Sequence, residues 1–255
     1  MKLRDIVSVL VAVFVHFASS TPTTSTRILL VHGALADGSS WSKVIPYLQD
    51  AGHSVTAVQE PLTSIDDDVN VVRTALETLN NASSDPIVVV GHSFGGLVIT
   101  NAVTDTPNVK ALVYVQAFAP DKGETVTGLA HNFPELPSAK QFVPDASGRL
   151  VLPEDDYLEF FAPDVNHRDA RALAATQGPS DAARFKFVSG NPSWKQITNL
   201  YYIVGENDQI IHPELEAWFA QRMGAKTYTL KGASHAGLIS QGENVAHIVL
   251  EAAGS

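Results

Sequence analysis

A chain of 255 residues with 45% hydrophobic and 17% charged residues can build one large domain with a deep core, and its composition excludes a disordered or collagen-like polymer. Seventeen Lys and Arg against 27 Asp and Glu give a formal charge of -10; phosphate binding depends on basic surface, so nucleic acid is not expected as a partner. With no Cys, disulfides, thiolate nucleophiles and Cys-ligated zinc are all absent.

The chain opens with Lys2 and Arg4, an apolar run over residues 6–18, then Ser19, Ser20 and Pro22. That order predicts a secretory signal over residues 1–20, a mature domain over 21–255 and a secreted protein. The run falls short of the roughly 20 residues that cross a bilayer as a helix, so no stable membrane anchor is expected. Asn81-Ala82-Ser83 is an acceptable glycosylation tripeptide, whereas Asn191 is followed by the excluded Pro192.

From residue 27 onwards, short β-rich runs alternate with longer helical patterns. The strand candidates are 27–31, 54–58, 86–90, 109–116, 199–204 and 226–230. Ile28-Leu29-Leu30-Val31 and Ile87-Val88-Val89-Val90 are continuous rather than alternating apolar runs, as strands covered by helices on both faces require. The fold class is therefore α/β, a mostly parallel, doubly wound sheet of about six strands with flanking helices. Ser64 can cap a helix whose apolar stripe is Ile65, Val69, Val72, Leu76 and Leu79; Asp66, Asp67 and Asp68 read as the first turn of that helix rather than as a cation site.

The segment at about 121–196 breaks the rhythm. It has scattered Pro, short helical stretches, no clear strand, and the aromatics Phe133, Phe142, Tyr157, Phe160, Phe161, Phe185, Phe187 and Trp194. A structureless loop of that length is implausible in a compact domain, so the segment is expected to be a helical cap inserted between two sheet strands, with most of its aromatics in the core and one or two lining a pocket.

Gly91-His92-Ser93-Phe94-Gly95 follows a buried strand candidate and precedes the helical pattern Leu97-Val98-Ile99. Strand, tight turn and helix are the setting in which a serine hydroxyl is presented as a nucleophile at a sheet edge; the flanking glycines remove side chains that would collide there. The N–H of Phe94, at the helix start, can donate to an oxyanion. Serine needs a base that is neutral near working pH, and histidine fits. Of nine His, His16 lies in the signal, and His53, His131, His167 and His247 are expected on surface helices or in the cap. His212 precedes Pro213 and can cap a helix. His235 lies on a loop after the last strand candidate, at the carboxyl edge where parallel sheets bind ligands, and is the expected base. Asp208, just after the preceding strand, is the expected acid, with Glu206 and Asp121 as rivals. His32-Gly33-Ala34 follows the first strand, so the backbone N–H of Ala34 is the second oxyanion donor. A zinc site built on His32, His92 and His235 lacks supporting ligand spacing, and no metal is expected.

These pieces resemble an α/β-hydrolase of compact type over residues 27–253. The chain is similar to the branch of plant methyl-ester esterases and hydroxynitrile lyases and to related microbial hydrolases, through Val31-His32-Gly33-Ala34, Asp37-Gly38-Ser39-Ser40-Trp41, Gly91 to Gly96, Leu112-Val113-Tyr114-Val115 with Ala117-Phe118-Ala119-Pro120, and Pro213-Glu214-Leu215. The lyases of that branch carry Thr where Gly33 stands and Lys where Ala236 stands, which favours ester hydrolysis here. The resemblance implies a serine esterase or lactonase, with catalytic residues Ser93, Asp208 and His235 and no cofactor, acting on a small apolar carboxylic ester or lactone. It leaves open a receptor-like protein with little turnover and a lyase or dehydratase using the same site, and it says nothing of oligomeric state.

Overall fold

Uninterrupted branched apolar runs can be satisfied only in the middle of a covered sheet, and that is where they lie. A computed structural model describes residues 25–254; the expected signal at 1–20 lies outside them. The strands are β1 (Arg27–Val31), β2 (Ser54–Ala57), β3 (Ile87–His92), β4 (Val109–Val115), β5 (Val143–Pro144), β6 (Leu150–Val151), β7 (Leu200–Gly205) and β8 (Lys226–Leu230). Six of them form one sheet in the order β2-β1-β3-β4-β7-β8, with every neighbouring pair parallel. From β1 the chain first builds outward to β2, then returns to place β3 on the other side. The reversal opens a crevice at the carboxyl ends of β1 and β3, where such sheets hold ligands.

The helices are α1 (Ile45–Asp50), α2 (Ile65–Ala82), α3 (Phe94–Ala102), α4 (Val126–Ala130), α5 (Glu154–Asp156), α6 (His167–Ala175), α7 (Pro213–Met223), α8 (Gly237–Ser240) and α9 (Gly242–Ala253). Side chains of a strand alternate between faces, and the core divides accordingly. Leu29, Val31 and Val89 pack with Val72 of α2, Leu97 of α3 and Phe219 of α7; Ile28, Leu30, Val88 and Val90 pack with Leu48 of α1 and Val249 of α9. Ser64 caps α2 as expected, its hydroxyl accepting from the N–H of Asp67 at 3.1 Å.

Residues 121–196 run between β4 and β7 and carry α4, α5, α6 and short tight turns. The expectation that this segment has no strand needs correction. β5 and β6 pair antiparallel across a turn in which Asp145 Oδ1 accepts from the N–H groups of Ser147 and Arg149 at 2.8 and 2.9 Å. Two residues per strand, one of them a proline, leave no alternation for a sequence pattern to detect.

The segment is fastened to the sheet domain by a buried ion pair. Asp68, in the first turn of α2 as expected, is 0% exposed. Its Oδ2 accepts from Arg184 Nη2 at 2.5 Å, and both side chains are wholly buried. Asp68 lies next to Val69 and Val72 of the α2 stripe in projection, and the arginine brought in by the inserted segment makes that position tolerable. Burial raises the Asp68 carboxyl above its ordinary range despite the guanidinium, and burial, with the charge of Asp68 added, raises the nearby Glu60 well above its own. Removing one partner of such a pair strands the other. Arg184→Ala is expected to destabilise the fold by about 3–5 kcal/mol, read as a lower urea midpoint; an unchanged midpoint would contradict the buried pair.

Candidate active site

Ser93 sits between β3 and α3 with φ 54° and ψ -120°, a conformation L-residues avoid. Three backbone hydrogen bonds hold it. The Ser93 N–H donates to Val115 O, and the Ser93 carbonyl accepts from the N–H groups of Gly96 and Phe118, each at 3.1 Å. The turn is also tight. A Cβ on Gly91 would lie 2.7 Å from Gly95 O, and one on Gly95 would lie 2.5 Å from His32 O and 2.6 Å from Val31 O.

The hydroxyl so displayed meets His235. Ser93 Oγ is 2.8 Å from His235 Nε2, and His235 Nδ1 is 2.5 Å from Asp208 Oδ2. Ser93, His235 and Asp208 are 5%, 0% and 2% exposed. The carboxylate requires a proton on Nδ1, which leaves Nε2 free to accept the serine proton. Asp208 Oδ1 accepts from the N–H groups of Ile210 and Ile211 at 2.7 and 2.9 Å. Burial alone would raise this carboxyl, but His235 and these hydrogen bonds outweigh it and hold Asp208 below the usual carboxylate range. The rival acids are elsewhere: Glu206 accepts from Gly232 N at 2.8 Å, and Asp121 pairs with Lys195 at 2.6 Å.

Three supporting residues escape sequence reading. Gln116, buried and with φ 45°, donates through Nε2 to Asp208 Oδ2 at 3.0 Å and to Ser234 O at 2.6 Å, tying the acid to the His235 loop. Glu216 of α7 is fully buried, accepts from Gly205 N at 2.8 Å, and is driven well above the ordinary carboxyl range by burial and by the charge of Asp208. His92 meets the His235 carbonyl through Nε2 at 3.0 Å, and burial lowers its pKa to about 3, so its neutral ring anchors the loop. The available signal was a polar residue ending an apolar strand, for Gln116; Glu216 carried none.

The serine opens on a cavity of about 560 Å³ whose lining includes Ala34, Ser93 and Phe94. Phe94, Phe118, Phe133, Phe142, Phe161 and Phe185 line it too, so four of the eight aromatics of the inserted segment face the cavity, more than the one or two expected. The N–H of Phe94, first in its helix, has no intrahelical acceptor, and neither it nor that of Ala34 donates to a protein group among the described residues. Other histidines divide. His131 and His212 line the cavity, His212 also capping α7. His53, expected on a surface helix, is 7% exposed in the turn before β2 and accepts from Thr26 N at 3.2 Å.

Because Gly95 has backbone carbonyls where a Cβ would stand, Gly95→Ala is expected to destabilise the fold by about 1–3 kcal/mol and to reduce fluorophosphonate labelling of Ser93 at least tenfold. Labelling at the wild-type rate would contradict the assigned turn geometry.

Several known proteins resemble this chain over most of their length. Salicylic acid-binding protein 2 of Nicotiana tabacum is 28% identical over 260 aligned positions, covering 89% of this chain and 96% of that protein. Polyneuridine aldehyde esterase of Rauvolfia serpentina is 27% identical over 251, covering 88% and 94%; a crystal structure of polyneuridine aldehyde esterase superposes with a TM-score of 0.77 at 21% identity, covering 89% and 98%. A pyrethroid hydrolase from Sphingobium faniae JZ-2 superposes with a TM-score of 0.73 at 21% identity, covering 91% and 98%. The sequence profile of the alpha/beta hydrolase family matches residues 28–248, and the chain belongs to that family.

Proposed function

We propose that the chain is a serine carboxylic ester hydrolase in which Ser93 is the nucleophile, His235 the base and Asp208 the acid that orients it. The observation carrying this reading is the continuous hydrogen-bonded chain from Asp208 through His235 to a serine hydroxyl facing an apolar cavity. Two of the similar proteins, an esterase and a pyrethroid hydrolase, are named for hydrolytic activity.

The chemistry follows from the geometry. His235 Nε2 takes the Ser93 proton as Oγ bonds to the ester carbonyl carbon, and the imidazolium is stabilised by Asp208. The carbonyl oxygen becomes an oxyanion held by the N–H groups of Phe94 and Ala34; one such donor is typically worth about 10² to 10³ in rate. His235 then passes its proton to the departing alcohol as the C–O bond breaks, leaving an acyl group on Ser93. Water, deprotonated by His235, adds to the acyl carbon; the acid leaves and the proton returns to Oγ.

The cavity limits the substrate class. About 560 Å³ lined by six phenylalanines suits an apolar ester or lactone whose hydrophobic part reaches the size of a drug-like ring system. His131, Glu135 and His212 supply polar edges to the lining. Gly33 weighs against the lyase alternative, because a Cβ there would lie 2.7 Å from Ser93 Cβ, where the branched Thr of the lyases has no room in this backbone.

Ser93→Ala is expected to lower turnover of p-nitrophenyl butyrate by about 10⁴-fold or more and to abolish fluorophosphonate labelling, with an unchanged circular dichroism spectrum. Retained turnover in that variant contradicts the nucleophile, and a wild type that neither labels nor turns over supports a receptor-like protein instead.

A further inference from the structure

The structure holds a second buried hydrogen-bonded chain that the proposed reaction leaves unused, and it ends on the peptide that carries an oxyanion donor. His32, 0% exposed, has both ring nitrogens engaged. Nε2 accepts from the N–H of Glu60 at 2.9 Å, and Nδ1 lies 2.9 Å from the carbonyl oxygen of Gly33. An N–H can only donate, so Nε2 carries no proton; the neutral ring must then carry its proton on Nδ1, and that proton points at the Gly33 carbonyl. The carboxylate oxygen Oε2 of Glu60 stands 3.5 Å from the same nitrogen, outside hydrogen-bonding range.

The Gly33 carbonyl belongs to the same peptide plane as the N–H of Ala34. In a trans peptide these two groups point in opposite directions. Holding the carbonyl against His32 therefore aims the Ala34 N–H away from His32 and toward the cavity that Ala34, Ser93 and Phe94 share. The loop needs such a hold. It lies just past the end of β1, outside the sheet's hydrogen bonds, and the next residue, Leu35, has φ 59°, a conformation that a branched side chain resists. We infer that His32 is the positioning residue of the oxyanion hole, fixing the Ala34 N–H through its hydrogen bond to the Gly33 carbonyl.

The hold is anchored from behind. Two residues beyond Glu60, the N–H of Leu62 donates to Asp68 Oδ1 at 3.0 Å, and Asp68 is gripped by Arg184 of the inserted segment at 2.5 Å. The strand-end segment that presents the Glu60 N–H is thus clamped by the ion pair that fastens the inserted segment. Burial keeps the His32 ring below its ordinary pKa, consistent with a nitrogen reserved as an acceptor.

This inference rests on the hydrolase reading, and the test separates the two. His32→Phe fills the same space without either hydrogen bond. His32→Asn places an amide N–H where Nδ1 stood, preserving the bond to Gly33. With p-nitrophenyl butyrate, His32→Phe is expected to lose about tenfold or more in kcat with KM within about twofold, since the interaction is made only as the oxyanion forms; His32→Asn is expected to recover most of that loss. On the wild type, a long-range proton–nitrogen NMR spectrum is expected to place the ring proton of His32 on Nδ1, a readout that stands even where His32→Phe fails to fold. Equal losses in both variants, an unchanged kcat in His32→Phe, or a proton on Nε2 overturns the positioning role alone. No turnover by the wild type overturns the hydrolase reading and this inference together.

Discussion

The backbone of Ser93 is the constraint from which the rest of the site follows. Its φ of 54° is of the kind that costs about 1–3 kcal/mol for a residue with a side chain, and it persists because the surrounding sheet determines it several times over. Val115 at the end of β4 receives the Ser93 N–H, while Gly96 and Phe118 donate to its carbonyl. Gly91 and Gly95 clear the space in which β1, β3 and α3 converge. The strained residue thus sits where three elements meet, at the crevice created by the reversal of strand order, and its hydroxyl has one place to go.

Around that hydroxyl, burial sorts the ionisable groups. His235 and backbone N–H groups hold the Asp208 carboxyl below its ordinary range, whereas burial and the charge of Asp208 raise Glu216 beside it well above its own. A related asymmetry recurs across β1, where Arg184 is matched to the Asp68 carboxyl while burial and the charge of Asp68 raise Glu60 well above the carboxylate range. The inserted segment takes part in both arrangements: Phe161 packs edge-on against His235 with ring centroids 4.8 Å apart, and Arg184 lies over the Phe94 ring at 4.9 Å.

Much of this was legible from residues alone, for identifiable reasons. β1 and β8 have the bounds expected from sequence, and the other sheet strands differ at their ends by one or two residues; in β1 and β3 continuous apolar runs of strand length leave little choice. Ser93, His235 and Asp208 stand together because each follows a strand of a parallel sheet whose carboxyl ends share one edge. What could not be read depends on partners distant in sequence. Asp68 reads only as a helix-start residue until Arg184, supplied by the inserted segment, is brought to it. Gln116 and Glu216 acquire their meaning only from Asp208. The β5–β6 hairpin is too short to have a period, and the inserted segment's aromatics split between core and cavity according to a shape that composition does not encode.

In the proposed reaction the Ser93 hydroxyl becomes covalently acylated during turnover. The most direct measurement is rapid-quench mass spectrometry of the protein mixed with p-nitrophenyl butyrate, followed by peptide mapping. A butyryl adduct confined to the peptide containing Ser93 is expected, formed within the first turnover and lost as free acid appears. Substrate consumed with no adduct on that peptide, or with the adduct on another residue, would contradict it.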